Sequence, residues 1–118
     1  MAIHNVRGKQ GELQAVAYFL QRGYTILHCN WRYRYYEIDI IASREEKLHF
    51  IEVKTRHTLT YGYPEESVTR KKFASLKKGA EAFLNSHPGW ERIQYDILSI
   101  SKIGSKPDEY FLLEDVFI

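Results

Sequence analysis

Two apolar runs separated by a charged break dictate most of what this chain can fold into. Residues Tyr36–Ser43 read YEIDIIAS and Leu48–Arg56 read LHFIEVKTR, with Arg44-Glu45-Glu46-Lys47 between them. Runs of Ile, Val and Phe flanking a polar turn predict a β-hairpin. With the four charged residues as its loop, Ser43 faces Leu48. Antiparallel register then sets Asp39 opposite Glu52 and Glu37 opposite Lys54. Opposed residues share a face, as do residues two apart, so these charges lie on one side and Ile38, Ile40, Ile51 and Val53 on the other. A loop one residue longer or shorter would put Asp39 and Glu52 on opposite faces.

Facing carboxylates destabilise a sheet by roughly 0.2–1 kcal/mol, and by more where they are desolvated. A hard divalent cation reverses that sign, since Mg²⁺ binds through one or two carboxylates, a carbonyl and waters. Lys54 is then placed to stabilise developing phosphoryl charge, or to orient or deprotonate a water. The competing reading is a surface ladder in which Lys54 only neutralises its neighbours.

The chain of 118 residues is expected to form one domain, 1–118, around a single core. Its net charge of +2 says little, and its one cysteine, Cys29, excludes an internal disulfide framework and suits a reducing compartment. The opening MAIHNVRGKQGE lacks a signal peptide's apolar centre, and no run is long enough to span a bilayer. The expectation is a soluble cytoplasmic domain without membrane contact.

A helix is predicted over about Gly8–Gln21, with Leu13, Val16, Ala17 and Leu20 as its buried stripe and Gly23 as its stop. Glu12 lies at the edge of that stripe, either as a partner of the helix dipole or leaning toward a site beneath. Tyr24–Trp31 alternates as a strand with Leu27, Cys29 and Trp31 on one side. The segment Asn30–Tyr36 interleaves aromatic rings with Arg32 and Arg34. Such a mixture suits stacking and phosphate contact, and equally a hairpin connection whose tyrosines cap the core. Thr55–Pro64, with Gly62 and Pro64, reads as a loop, and His57 as an exposed loop histidine.

A second helix is predicted over Thr69–Asn85, burying Phe73, Leu76, Ala80 and Phe83. Between Arg70 and Lys78 it carries Arg70, Lys71, Lys72, Lys77 and Lys78 with no acidic residue. That is either a phosphate-tracking surface or a solvated face. Strands over Ile93–Ser101 and Glu109–Phe117, joined by a loop at 102–108, complete the order α-β-β-β-α-β-β. This order implies an α/β fold with a mixed sheet and helices on its faces. The histidines show no metal-ligand spacing, Cys29 has no CxxC partner, and there is no glycine-rich phosphate loop, so neither zinc nor nucleotide hydrolysis is indicated.

With Asp39, Glu52 and Lys54 in this order, the chain resembles restriction-endonuclease-like nucleases with their D-x(n)-(D/E)-x-K signature. More closely it resembles the YraN family of small uncharacterised bacterial proteins, itself similar to archaeal Holliday-junction resolvases. The matching residues are Gly11-Glu12, Ala15, Gly23-Tyr24, Asn30, Arg32, Glu37-Ile-Asp-Ile-Ile41, Glu52-Val-Lys-Thr-Arg56, Gly62, Pro64, Val68 and Lys72. Tyr36 departs from the pattern, because the family usually has glycine there.

The resemblance implies a restriction-endonuclease-like core in which Glu12, Asp39, Glu52 and the Val53 carbonyl surround Mg²⁺ or Mn²⁺, with Lys54 as the catalytic lysine. It implies branched or structured DNA as partner, with backbone contacts from Arg32, Arg34, Arg56, Arg70, Lys71 and Lys72. By the resolvase analogy it also implies a two-fold homodimer. A metal-dependent endonuclease is therefore expected; the alternative is a non-catalytic DNA-binding or protein-interaction module on the same fold.

Overall fold

The computed structural model describes residues 3–57 and 70–117, with side chains from residue 10 onward. Its elements are α1 (Ile3–Gln21), β1 (Thr25–Tyr33), β2 (Tyr36–Arg44), β3 (Lys47–Arg56), α2 (Arg70–Ser86), β4 (Ile93–Ser101) and β5 (Glu109–Leu113). The five strands form one sheet in the order β1-β2-β3-β4-β5. β1, β2 and β3 form an antiparallel meander, β3 and β4 run parallel, and β5 returns antiparallel. The parallel pair requires a crossover, and α2 lies within it. The fold is therefore the expected α/β mixed sheet with helices on both faces, consistent with a restriction-endonuclease-like core. Of the loop expected over Thr55–Pro64, Thr55 and Arg56 are instead the end of β3, held by the parallel ladder to β4; the part that carries Gly62 and Pro64, and the expected helix start at Thr69, lie outside the described residues.

Two apolar layers hold the helices to the sheet. Under α2, Phe73, Leu76, Ala80 and Phe83 pack on Ile38, Ile41, Leu48, Phe50 and Ile97, so this stripe is the one its periodicity predicts. Phe83 is the hub of that layer, with the rings of Trp31 at 5.4 Å, Phe50 at 5.9 Å and His87 at 4.0 Å. Under α1, Ala15 and Phe19 pack with Tyr24, Ile40, Ala42, Ile51, Leu98 and Ile100.

The α1 stripe is rotated from the expected one. Leu13 is 71% and Leu20 54% exposed, whereas Gly11, Ala15 and Phe19 are buried. Closeness of approach decides this: a Cβ on Gly11 would lie 2.7 Å from Thr55 Oγ1. The close approach at Gly11 fixes the rotation of α1, so that Gly11, Ala15 and Phe19 face the sheet and the two leucines lie outside.

The β2–β3 register agrees with the expectation, with Ser43 opposite Leu48 and Ile40 opposite Ile51. The loop is tighter than expected, because Arg44 pairs with Lys47 and only Glu45 and Glu46 turn the chain. Their φ values of 52° and 63° are those of a two-residue primed turn, usually built from Asn and Gly. In β1 the expected common side of Leu27, Cys29 and Trp31 is not kept: a register shift between Ile26 and His28 leaves Leu27 irregular, and Cys29 pairs with Ile40 of the α1 layer whereas Trp31 pairs with Ile38 and packs in the α2 layer.

A second irregularity matters more. The ladder pairs Cys29 with Ile40 and Trp31 with Ile38, skipping Asn30 and Asp39 between them, and Asn30 has φ 52°. Alternation breaks there: Ile40 packs with α1, while Ile38 packs with α2 rather than sharing a side with Ile40, Ile51 and Val53. Glu37 pairs across the ladder with Arg32, not with Lys54. Tyr36 is regular strand opposite Tyr33, so tyrosine in place of the usual glycine meets no backbone obstacle.

Candidate active site

The ladder between β2 and β3 stops at Ile40–Ile51, and the strands part there. The next backbone N–H on β3 to be met is that of Val53, which donates to the Asp39 carboxylate at 2.8 Å. A side chain has replaced a main-chain acceptor, and that bond fixes Asp39 beside the following turn of β3. Glu52, 8% exposed, stands on the same side as Asp39, below the first turn of α2. Lys72 reaches down from that turn to Glu52 Oε1 at 2.9 Å, and Lys54 Nζ lies 3.9 Å from the same oxygen.

Burial first, then the charge of Glu52, pushes Asp39 up to about 7 despite the opposing Val53 N–H and Lys72. Burial, then the adjoining Lys72 ammonium, holds Lys54 below the usual lysine range against the pull of Glu52 and Asp39. Lys72 goes the other way: burial would lower it, but hydrogen bonding with Lys54 and Glu52 and both carboxylate charges outweigh that. Groups whose affinities for a proton are driven apart in one place are the raw material of acid–base chemistry.

The structure thus brings together Asp39, Glu52, Lys54 and Val53 as the sequence anticipates, and adds Lys72, expected only as a DNA-backbone contact. Its position one residue before the buried Phe73 is the sequence signal for this, since that places it at the margin of the α2 apolar stripe. Glu12, which the resemblance adds to the metal ligands, is instead engaged by Asn30, whose Nδ2 donates at 3.0 Å. It reaches the cluster only indirectly, since Asn30 occupies the skipped position beside Asp39. Among the described residues, no three His, Cys, Asp or Glu side chains are gathered to hold a metal.

The remaining candidates are spread around this cluster. Arg32 pairs with Glu37 at 2.9 Å, both on the surface. Arg34 sits at the β1–β2 turn with its guanidinium 5.3 Å over the Tyr33 ring. Arg56 ends β3, its carbonyl taking the Lys102 N–H at 2.7 Å. Arg70 and Lys71 are exposed in the first turn of α2, beside Lys72. His57 is exposed just after β3.

A second polar cluster lies under α1 and was not visible in the sequence. His49 and the fully buried Asp96 meet at 2.7 Å, and Asp96 also accepts from Gln94 Nε2 at 2.8 Å and the Asp115 N–H at 3.0 Å. The Tyr24 ring stands edge-on to His49 at 5.0 Å. Being sealed from solvent, this group anchors β3, β4 and the segment after β5 to one another.

Comparison with known proteins follows the same residues. Positions 11–100 match the model of the Uncharacterised protein family UPF0102. A UPF0102 protein of Bacteroides thetaiotaomicron is 39% identical over 100 residues, spanning 85% of this chain and 83% of its own. One of Chloroherpeton thalassium is 39% identical over 119 residues, spanning 93% and 92%. One of Chlorobium phaeobacteroides is 42% identical over 109 residues, spanning 91% and 85%. Since the match runs from the close approach of α1 at Gly11 through the whole carboxylate–lysine cluster to Ile100 in β4, the chain belongs to the UPF0102, or YraN, family.

Proposed function

We propose that this protein is a metal-dependent endonuclease acting on branched or otherwise structured DNA. The observation that carries the reading is the placement of two carboxylates, Asp39 and Glu52, against two lysines at a point where the sheet opens. A pure DNA-binding module gains nothing from paired acids facing phosphates, because their repulsion weakens binding.

The donor set fits a hard divalent ion. Asp39, buried and set beside the charge of Glu52, has a raised proton affinity that a bound cation would relieve. Two carboxylates with a backbone carbonyl and waters are what Mg²⁺ or Mn²⁺ accepts. Asp39, Glu52 and the Val53 carbonyl would hold it, and Glu12 would join only by leaving Asn30. The ion would supply Lewis-acid charge to a phosphodiester.

The chain's own residues divide the remaining work. Lys54, with its lowered proton affinity, takes the proton of the attacking water. Lys72 keeps its charge and faces a non-bridging phosphate oxygen, so that the charge gathering there in the transition state meets a fixed cation. Arg70, Lys71, Arg32, Arg34 and Arg56 hold flanking phosphates. Paired cuts on a symmetric junction call for a second copy, so a two-fold dimer belongs to the proposal; sedimentation giving only monomer, free and on junction DNA, would remove that part.

The test is a cleavage panel of duplex, single-stranded, flap and four-way DNA with Mg²⁺, Mn²⁺ or EDTA. Metal-dependent cutting that disappears in Asp39→Asn is expected. A protein that binds these DNAs and cuts none of them under any condition is the non-catalytic module instead.

A further inference from the structure

We infer that the groove between the β1–β2 turn and the C-terminal half of α2 is a binding site for an unpaired nucleobase. The inference rests on the reading above, and narrows its substrate to DNA with an unpaired nucleotide beside the cut. The groove is a shallow, open one of about 500 Å³, lined by Tyr33, Tyr36, Lys78, Glu81 and Asn85, among others. That size is in the range of small-molecule sites.

Its aromatic wall is built rather than incidental. Phe83 in the core holds the Trp31 ring edge-on at 5.4 Å, and Trp31 in turn holds Tyr33 nearly parallel at 6.5 Å and 11°. Tyr33, 43% exposed, is therefore the outer end of a row of rings anchored in the protein interior. Tyr36 is fixed from the other side, because α2 comes so near that a Cβ on Gly79 would lie 3.3 Å from Tyr36 Cβ. Hydrophobic burial favours covering such rings, yet Tyr33 keeps an exposed face with only the Arg34 guanidinium 5.3 Å over it, which an entering base would displace, and Tyr35 at the tip is 96% exposed.

The polar groups specify the occupant. Asn85 and Glu81 offer donors and acceptors suited to a base edge, while Lys78 and Arg34 offer charge for its phosphate. Lys78 follows Lys72 by six residues on α2, about 9 Å along the axis and about a third of a turn around it. A strand whose scissile phosphate faces Lys72 therefore brings a neighbouring nucleotide to the groove by passing obliquely across α2. In duplex DNA both faces of each base are stacked, so Tyr33 can accept only a base that has left the stack.

The test measures binding in EDTA, where cleavage does not intervene. Oligonucleotides carry 2-aminopurine either unpaired in a single strand or fully paired in a duplex. The fluorophore should be quenched on binding only when unpaired. Tyr33→Ala should abolish the quenching and weaken unpaired-strand binding about tenfold or more, leaving duplex affinity unchanged. Tyr33→Phe should keep both, because the ring and not the hydroxyl stacks. Lys78→Ala should lower the salt slope by about one unit. Unchanged binding and quenching in Tyr33→Ala, or failure of Tyr33→Phe to restore them, overturns this inference and leaves the endonuclease reading standing. Failure to bind any oligonucleotide, paired or unpaired, overturns both.

Discussion

Replacing Asp39 by asparagine keeps the shape of the side chain and removes the charge that the fold holds at greatest expense. Holding a carboxyl at about 7, against its usual 3.8, opposes folding by roughly 4 kcal/mol once pH exceeds both values. The sign follows from proton counting. Between those two values the folded chain binds more protons at Asp39 than the unfolded chain, so stability falls as pH rises, and above about 7 it levels off. An asparagine oxygen can still accept the Val53 N–H, though a neutral acceptor gives back roughly 1 kcal/mol of the gain. Asp39→Asn should therefore be about 2–3 kcal/mol more stable than wild type at pH 8.5, melting roughly 8–12 °C higher. At pH 4.5 the two should nearly coincide. Thermal unfolding by circular dichroism in EDTA across that range reads the difference, which cancels the titrations that the Asp39 charge does not reach. A gap of constant size from pH 4.5 to 8.5, or a variant less stable than wild type at the upper end, would refute the reasoning.

Lys72→Met removes the cation that depresses Lys54, so the acidic limb of any cleavage profile should move to higher pH, measured with rate against pH; an unmoved limb separates the two lysines. His49→Leu leaves the fully buried Asp96 without its nearest partner and should cost about 3 kcal/mol in chemical denaturation, whereas a loss under about 1 kcal/mol would mean that Gln94 and the Asp115 N–H suffice. Neutralising Arg70 and Lys71 together should weaken DNA binding and lower its salt slope by about one unit per lost phosphate contact; an unchanged slope makes this turn of α2 a solvated surface.

How much of this was legible in the sequence varies with the range of the interaction. The α2 stripe and the β2–β3 register were legible because local periodicity and a short turn determine both. The α1 stripe was not: side-chain hydrophobicity favours Leu13 and Leu20, but the contact of Gly11 with Thr55, 44 residues on, sets how near the helix can come. Strict alternation puts Ile38 on the wrong side because it has no room for the break at Asn30 and Asp39. Register put Asp39 near Glu52 and two-residue spacing added Lys54, but the ladder stops at Ile40–Ile51, and Asp39 is held there by the Val53 N–H rather than by a strand pairing with Glu52. The margin position of Lys72 on α2 was legible, but its meeting with Glu52, like the His49–Asp96 pair that spans 47 residues, depends on the tertiary fold.

Metal binding coupled to proton release addresses the carboxyl pair most directly. If Asp39 carries a proton at pH 6 because it is buried beside the charge of Glu52, then Mg²⁺ or Mn²⁺ must displace that proton on binding. Titration calorimetry in buffers of different ionisation enthalpy counts the protons released. The expected result is nearly one proton per ion at pH 6, essentially none at pH 8.5, and loss of both binding and release in Asp39→Asn. Binding that releases no proton at pH 6 and survives Asp39→Asn, or no binding at millimolar ion, would contradict the account.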